Sequence, residues 1–214
     1  MSVFGGPKVV TDGLVLYWDM AEPDCYPGTG TTIYDLCRNY DGTLFNSPTF
    51  SRANGGILTF NGSSSYVTGT TANFSTTNCT VMGAAKYNGS NGRMINGASN
   101  NWLMGHWSNS VGNFYAEGWV TGVGAGGTDN NWRIYTTLNN YSSDSWSFYV
   151  NGAPNVLAST GGSQGPNGIA IARYNPGASE YSDGSFSFVM IYNRLLNNSE
   201  ILQNYNALRG RFNI

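Results

Sequence analysis

Short runs in which apolar and polar residues alternate, separated by turn residues, dominate the chain. The clearest run is SWSFYVNG, where Trp146, Phe148 and Val150 alternate with more polar neighbours before Asn151-Gly152. Alternation with period two is the pattern of a β-strand, and Asn-Gly supplies the two positive-φ residues of a tight hairpin turn. The run therefore predicts a strand that ends in a hairpin.

Similar runs recur along the whole chain and predict about eleven strands, which is typical of a sandwich or a barrel. That number of strands in one chain of 214 residues predicts two packed sheets. The predicted strands are Leu14 to Asp19, Ile57 to Phe60, Tyr66 to Thr68, Thr80 to Lys86, Arg93 to Ile95, Trp102 to Trp107, Phe114 to Val120, Trp132 to Leu138, Ser145 to Val150, Ile169 to Arg173 and Ser185 to Tyr192.

One helix is expected, near the end of the chain. Asn197 or Asn198 can cap it, Glu200 in its first turn suits the helix dipole, and Gly210 can end it. The last four residues, RFNI, end on apolar side chains, so we expect them to dock on this domain or on a neighbouring subunit. The apolar stripe of the helix consists of Ile201, Leu202, Tyr205 and Leu208.

Charge and composition exclude several classes of protein. Charged residues make up only 10% of the chain, the net charge is −2, and only two lysines occur, so nucleic-acid binding is not expected. No apolar run approaches the ~20 residues of a membrane span, and the first residues, MSVFGGPKVVTDG, lack the apolar core of a secretory signal. Three cysteines are too few for a disulfide scaffold. We expect reduced thiols, with a Cys25–Cys37 bond as the alternative.

Several long motifs resemble a known family. DGLVLYWDMAEPDCYPGTGTTIYDL, DGTLFNSPTF, GGILTFNGSSSYV, NWLMGHWSNSVGNFYAEGWV, FYVNG and IYNRLLNNSEILQNYNALRGRF together cover nearly the full chain. They resemble the laminin-G-like, concanavalin A-like domains of structural proteins from large tailed phages, notably phages of marine cyanobacteria. One departure follows YDL, where Cys37-Arg38-Asn39-Tyr40 replaces the expected Ser-Gly-Asn-rich turn. Ligand contacts from this first loop are therefore not expected.

The resemblance implies an all-β, two-sheet antiparallel jelly-roll with one short C-terminal helix, which we assign to a single domain over residues 1–214. It also implies a non-enzymatic role, either on the virion or in glycan binding. The leading hypothesis is a capsid decoration protein or a tail or fibre component, assembled in the host cytoplasm. Its expected partners are other virion proteins, further copies of itself and, in addition, glycans. The alternatives are a stand-alone lectin module and, third, a glycan hydrolase.

The stretch NWLMGHWSNSVGNFYAEGWV, residues 101–120, carries the candidate site, because it contains the single histidine of the chain and three of its six tryptophans. We interpret it as a hairpin in which Trp102 to Trp107 pairs with Phe114 to Val120. Side chains alternate across each strand, so the hairpin has two faces. The face predicted to meet the other sheet carries Leu103, Gly105, Trp107, Phe114, Ala116, Gly118 and Val120. The face predicted to point outward carries Trp102, Met104, His106, Tyr115, Glu117 and Trp119.

The outward face combines flat aromatic rings with hydrogen-bonding groups, which is the mixture that a sugar site needs. We therefore predict Trp102, His106, Tyr115, Glu117 and Trp119 as ligand-binding residues. The alternative is that Trp102 and Trp119 form a cross-strand aromatic pair, while His106 and Glu117 are satisfied by their neighbours or by a subunit interface.

No catalytic constellation is apparent in the sequence. Glu117 has no acidic residue two or four positions away, as a pair of glycosidase carboxylates on one strand would require. His106 is the only histidine, and no nucleophile elbow is present. We therefore expect a protein that is not an enzyme.

Metal binding is a weaker expectation. The cysteines and the histidine show no zinc spacing. Calcium is the one cofactor that stays open, with Asp129, Asn130 and Asn131, or Asp183 and Glu180, as oxygen ligands. The alternative is that these residues only shape turns.

Overall fold

Two antiparallel β-sheets face each other in the computed structural model, which describes residues 7–88, 92–124 and 127–214. Residues 1–6, the start of the segment considered for a secretory signal, lie outside these ranges. The predicted two-sheet sandwich with one C-terminal α-helix is confirmed. The strands are β1 (Leu14–Asp19), β2 (Thr32–Ile33), β3 (Gly42–Phe45), β4 (Thr49–Ser51), β5 (Ile57–Thr59), β6 (Tyr66–Gly69), β7 (Cys79–Lys86), β8 (Ile95–Gly97), β9 (Trp102–Trp107), β10 (Ser110–Ala116), β11 (Trp132–Asn140), β12 (Ser145–Val150), β13 (Ala153–Ser159), β14 (Ile169–Ile171) and β15 (Ser185–Tyr192), and the helix is α1 (Asn198–Leu208).

The eight-stranded sheet has the order β13-β12-β11-β7-β15-β5-β4, with β1 also paired to β15. The seven-stranded sheet has the order β10-β9-β8-β14-β6-β3-β2. Short 3-10 turns occur at Ala53–Gly55, Tyr141–Ser143 and Arg209–Arg211. No helix in the described ranges has the length and apolar character needed to cross a membrane.

The central strands of the eight-stranded sheet are buried on both faces. In β15, Val189 and Ile191 point into the core between the sheets, whereas Met190 and Tyr192 belong to a second apolar cluster on the outer face. Alternation along the strand separates the two sets. The outer cluster is completed by α1, so this sheet has a hydrophobic layer on each side.

The helix begins where the sequence predicts. The side chain of Asn197 accepts a hydrogen bond from the Glu200 backbone at 3.0 Å, and the Glu200 carboxylate accepts one from the Asn197 backbone at 2.9 Å. This reciprocal capping box satisfies two backbone donors of the first turn. One residue of the predicted apolar stripe is misplaced: Leu202 is 49% exposed, and the buried polar Asn204 takes its place against Tyr192.

The apolar tail docks on this domain, one of the two expected outcomes. Phe212 is buried, with its ring centroid 4.8 Å from that of Trp132 and 6.3 Å from that of Phe188. The preceding residue, Arg211, forms an ion pair with the buried Asp19 at 2.8 Å. The end of the chain is therefore held by both apolar packing and a charge pair.

The hairpin of β9 and β10 differs from its predicted register. Ser108 and Asn109 both have positive φ, and they close a two-residue turn that pairs Ser110 with Trp107. Strand β10 therefore begins four residues earlier than predicted, and a bulge at Gly112 shifts the pairing again. Strand β10 also ends at Ala116 rather than at Val120.

The shift reverses the two faces of β9. Trp102, Met104 and His106 point into the molecule, and Trp107 points outward, contrary to the predicted faces. On β10, Phe114 and Ala116 point into the core, as predicted. A one-residue change of register moves every side chain of a strand to the opposite face.

Candidate functional site

An open pocket of about 250 Å³ lies on the outer face of the seven-stranded sheet, at its β9–β10 edge. Because Trp102 and Phe114 point into the core, their neighbours Leu103 and Tyr115 point outward and contribute to the pocket. The lining residues are Arg93, Asn101, Leu103, Trp107, Tyr115, Trp119 and Glu180.

Three aromatic side chains form one wall of the pocket. The ring centroid of Trp119 lies 5.2 Å from that of Trp107 and 5.1 Å from that of Tyr115, with both pairs tilted rather than parallel. The chain reverses at Glu117, which has a φ of 53°, and the Ala116 N–H donates to the Gly118 carbonyl at 2.8 Å. This turn, and not a continuing strand, folds Trp119 back onto Tyr115.

A buried ion pair lies beside the aromatic wall. Arg93 is 4% exposed, and its Nε and Nη2 atoms lie 2.8 and 2.7 Å from Glu180 Oε2. Burial lowers the pKa of the Arg93 guanidinium, and the Glu180 carboxylate opposes that change. Glu180 Oε2 also accepts a hydrogen bond from Trp107 Nε1 at 3.0 Å. No described residue donates to Glu180 Oε1, so this oxygen can accept a hydrogen bond from a ligand.

Two of the five predicted site residues, Tyr115 and Trp119, lie together in this pocket. Trp102 does not: it is fully buried in the core, where its Nε1 donates to Asn139 Oδ1 at 3.0 Å. Glu117 sits in the turn beside the pocket, and its carboxylate accepts a hydrogen bond from the Asn101 backbone at 2.6 Å. Glu117 therefore fixes the start of β9.

His106, the third predicted residue that lies outside the aromatic wall, is fully buried. Its ring stacks on Tyr87 at 5.0 Å between centroids and meets the edge of Tyr135 at 5.3 Å. Burial lowers the pKa of His106 to about 3, with a smaller contribution from the charge of Arg133. The face assigned to Trp102 and His106 from the sequence is wrong, because the turn and the bulge change the register.

Two of the five residues proposed for calcium bind arginines. Both carboxylate oxygens of Asp129 bind Arg133, and Glu180 binds Arg93. Within residues 7–88, 92–124 and 127–214, no three acidic, histidine or cysteine side chains cluster as metal ligands would. Calcium binding by Asp129, Asn130 and Asn131, or by Asp183 and Glu180, stays a prediction.

A second, larger cavity of about 600 Å³ lies near the first loop and is lined in part by Asp24, Asp35 and Asp41. Asp35 Oδ1 accepts hydrogen bonds from the backbone of Tyr17 and Cys37, and its Oδ2 accepts from the two following loop residues, Asn39 and Tyr40. Asp41 in turn accepts from the Asp35 backbone. These carboxylates organise the loop and present no ligand set.

No protein-family model matches the chain, and no curated protein matches it. Solved structures do. Domain 4 of a GH43 extracellular arabinanase from Geobacillus stearothermophilus, in complex with arabinotriose, matches 90% of this chain and 98% of its own, with 14% identity and a TM-score of 0.67. The fold is a concanavalin A-like sandwich.

Two further structures share this fold over part of their length. The binding domain of Paraclostridial Mosquitocidal Protein 1 matches 91% of this chain and 52% of its own, with 16% identity and a TM-score of 0.65. Trypanosoma rangeli sialidase in complex with the inhibitor DANA matches 92% of this chain, with 18% identity and a TM-score of 0.61. This chain spans about a third of the sialidase chain.

These matches correct one prediction. The sequence predicts a protein that is not an enzyme, yet chains with the same sandwich include a sialidase and a domain of an arabinanase. The fold thus occurs within glycosidases, and a non-enzymatic role cannot be deduced from it.

Sequence reasoning missed five of the seven residues that line the pocket, Asn101 and Leu103 among them. Trp107 is predicted as a core residue, Arg93 only as the start of a strand, and Glu180 only as a calcium ligand or turn residue. Arg93 and Glu180 are 87 positions apart and meet only because residues 172–182 fold back as a hairpin, in which the Ser182 N–H donates to the Ala172 carbonyl. No local pattern marks this contact.

Proposed function

We propose that the pocket at the β9–β10 edge binds a glycan. The observation that carries the proposal is the combination of three aromatic rings with the Arg93–Glu180 ion pair in one open pocket. Aromatic faces pack against the apolar face of a sugar ring, while a few fixed polar groups select its hydroxyls. The volume is below the ~300–1,000 Å³ of pockets for drug-sized ligands, so it suits one sugar ring of a longer chain.

Each group has a definite role in this proposal. Trp119 and Tyr115 provide the stacking surface, and Glu180 Oε1 accepts a hydrogen bond from a sugar hydroxyl. Arg93 holds Glu180 in place from below, because its guanidinium is buried and bonded to Glu180 Oε2 and Asn101 Oδ1. The matched arabinanase domain was solved with arabinotriose, so arabino-oligosaccharides are the first probes.

Trp119→Ala tests the proposal, after a glycan array has identified a ligand. We expect the variant to weaken binding about tenfold or more, the effect of removing an aromatic residue at the centre of a binding site. Calorimetric titration measures the change. Tyr141→Ala is the matched control, since Tyr141 is 43% exposed and lies outside the pocket. Absence of any glycan binding, or equal losses in the two variants, would refute the proposal.

The biological setting is a separate proposal. Display on a phage particle, as capsid decoration or in the tail or fibre, with other virion proteins and copies of this chain as partners, is supported by the sequence motifs. Mass spectrometry of purified particles tests the location, and sedimentation tests the oligomeric state. Assaying the array ligands for released reducing sugar distinguishes a lectin module from a glycosidase.

A further inference from the structure

A second aromatic cluster lies on the same outer face, beyond the hairpin of residues 172–182. The Arg173 guanidinium carbon sits 3.7 Å from the ring centroid of Tyr66 and 5.9 Å from that of Tyr181. On the next strand, Phe45 stacks on Tyr66 with centroids 4.6 Å apart and planes only 5° apart. Phe45 is 39% exposed, so the accessible part of this aromatic platform is the Phe45 ring, whereas the Arg173 guanidinium covers the Tyr66 ring.

Arg173 differs from the other arginines of the chain in its charge environment. Four arginines form ion pairs with carboxylates: Arg93, Arg133, Arg194 and Arg211. Three others, Arg38, Arg52 and Arg209, are exposed to solvent. Arg173 is half-buried, and no carboxylate of a described residue lies within ion-pair distance of it. A cation withdrawn from water without a counter-charge is costly, and such groups mark candidate sites.

The guanidinium is nevertheless held in place. Its Nη2 donates to Asn175 Oδ1, which also accepts a hydrogen bond from Thr68 Oγ1 at 2.9 Å. Asn175 Nδ2 donates to the Ala98 carbonyl at 2.6 Å, so the hairpin is tied to the sheet below it. The bond from Arg173 Nη1 to the Tyr181 hydroxyl is long, at 3.5 Å. Arg173 Nε is buried without a partner among the described residues, so the donors that remain for a ligand are those of Nη1 and Nη2 that make no strong bond.

Strand register places this platform beside the proposed glycan pocket. Leu103 of the pocket pairs with Asn96 on β8, and Asn96 pairs with Ala170 on β14. Ala170 in turn pairs with Thr68 on β6, which lies two residues from Tyr66 and on the same face of the sheet. Leu103 and Thr68 are three strand spacings apart, or about 14 Å. The hairpin contributes to both sites, because Glu180 lines the pocket and the adjacent Tyr181 contacts Arg173. An oligosaccharide of several residues can reach from one to the other.

We propose that Arg173 and the Phe45–Tyr66 pair form a second subsite for an acidic sugar residue, bearing a carboxylate or a sulfate. The exposed Phe45 ring provides an apolar contact surface, the Tyr66 ring holds the guanidinium in position, and Arg173 binds the anionic group through its Nη1 and Nη2 N–H donors. Charge-assisted hydrogen bonds of this kind are about twice as strong as neutral ones. The proposal rests on glycan binding at the neighbouring pocket and names the class of glycan that the surface prefers.

The experiment compares oligogalacturonides with the same oligosaccharides after their carboxylates are reduced to alcohols, and with a sulfated form. Binding is measured for the wild-type protein, Arg173→Gln, Trp119→Ala and the control Arg52→Gln. Arg52 also lies over an aromatic ring, that of Phe50 at 5.8 Å, but it is exposed and belongs to another part of the surface. The sulfated form shows whether the subsite takes either anionic group.

We expect the wild-type protein and Arg52→Gln to bind the acidic form about tenfold more tightly than the reduced form, as one charge-assisted bond predicts. Arg173→Gln should bind the acidic and the reduced form with equal affinity, and Trp119→Ala should weaken the binding of both forms. If Arg173→Gln does not fold, the wild-type protein supplies the test, because added salt should weaken the binding of the acidic form only.

Other outcomes overturn one or both proposals. Equal wild-type affinity for the acidic and reduced forms overturns the acidic subsite and leaves the glycan pocket standing. An equal loss of preference in Arg52→Gln also overturns the subsite, because net charge alone would then explain the preference. Binding of acidic forms that depends on Arg173 but not on Trp119 supports the subsite and overturns the pocket. No binding of any form, or of any glycan on the array, overturns both.

Discussion

Mild acid should destabilise this protein through one buried side chain, His106. Its imidazole is enclosed by the Tyr87 and Tyr135 rings, and Arg133 and Asp129 are the nearest charged groups that affect it. Burial lowers its pKa from 6.5 to about 3 in the folded protein. The unfolded chain, in which the same imidazole is hydrated, keeps the ordinary pKa of about 6.5.

The sign of the effect follows from proton uptake. As the pH falls below 6.5, His106 binds a proton in the unfolded state, whereas in the folded state it binds one only when the pH approaches about 3. The contribution of neutral His106 to stability is therefore complete above 6.5 and is lost progressively between these two values. At about pH 5, the pKa difference corresponds to a loss of about 2 kcal/mol in the free energy of unfolding.

Urea denaturation at about pH 8 and about pH 5 measures this loss, and His106→Gln is the control. Glutamine keeps a hydrogen-bonding group near the Tyr135 hydroxyl, which lies 3.3 Å from His106 Nε2, but does not titrate. The hydrogen bond from Arg133 lowers the pKa of Asp129 to about 2, so Asp129 stays ionised at both pH values. The wild-type protein should lose about 2 kcal/mol more than the variant. Equal losses, or an NMR titration of His106 near 6.5, would refute the reasoning.

Two further predictions concern the fold. Gly152→Ala should lower the unfolding free energy by about 2 kcal/mol, because the site has a φ of 74° and an added Cβ would lie 2.8 Å from the Tyr205 ring. Gly30→Ala, with a φ of 88° and no atom within 4 Å of the added Cβ, should cost only the conformational part, about 1 kcal/mol. Phe212→Ala should cost about 3 kcal/mol and the exposed Leu202→Ala no more than about 0.5 kcal/mol, both measured by thermal or chemical denaturation.

The sequence predicts best the strands that contribute most to the buried interior. The limits of β1, β9, β12 and β15 agree with those predicted, because each strand contributes several buried apolar side chains. Strand β13, which contains Pro154 and is exposed along most of its length, has no apolar pattern and escapes prediction. Its pairing with β12 follows from the Asn151-Gly152 turn alone.

The candidate site is only partly predictable, for two physical reasons. The faces of β9 depend on a turn at Ser108 and Asn109, neither of which is a glycine, and on one unpaired residue, Gly112. Alternation alone cannot locate either feature. The ion pair of Arg93 with Glu180 depends on how a distant hairpin folds over the sheet. By contrast, Tyr115 and Trp119 are placed together in both the predicted and the observed arrangement.

The side of the sandwich on which Val10 and Ile214 lie affects how the molecule is oriented on a support. The Val10 N–H donates to Asn204 Oδ1 at 2.7 Å, and Ile214 packs on the same apolar layer outside the eight-stranded sheet. The pocket proposed to bind a glycan opens on the outer face of the other sheet. Attachment through Ile214 to a sensor chip, a particle or a second protein therefore turns the aromatic wall of Trp107, Tyr115 and Trp119 away from the support and toward solution.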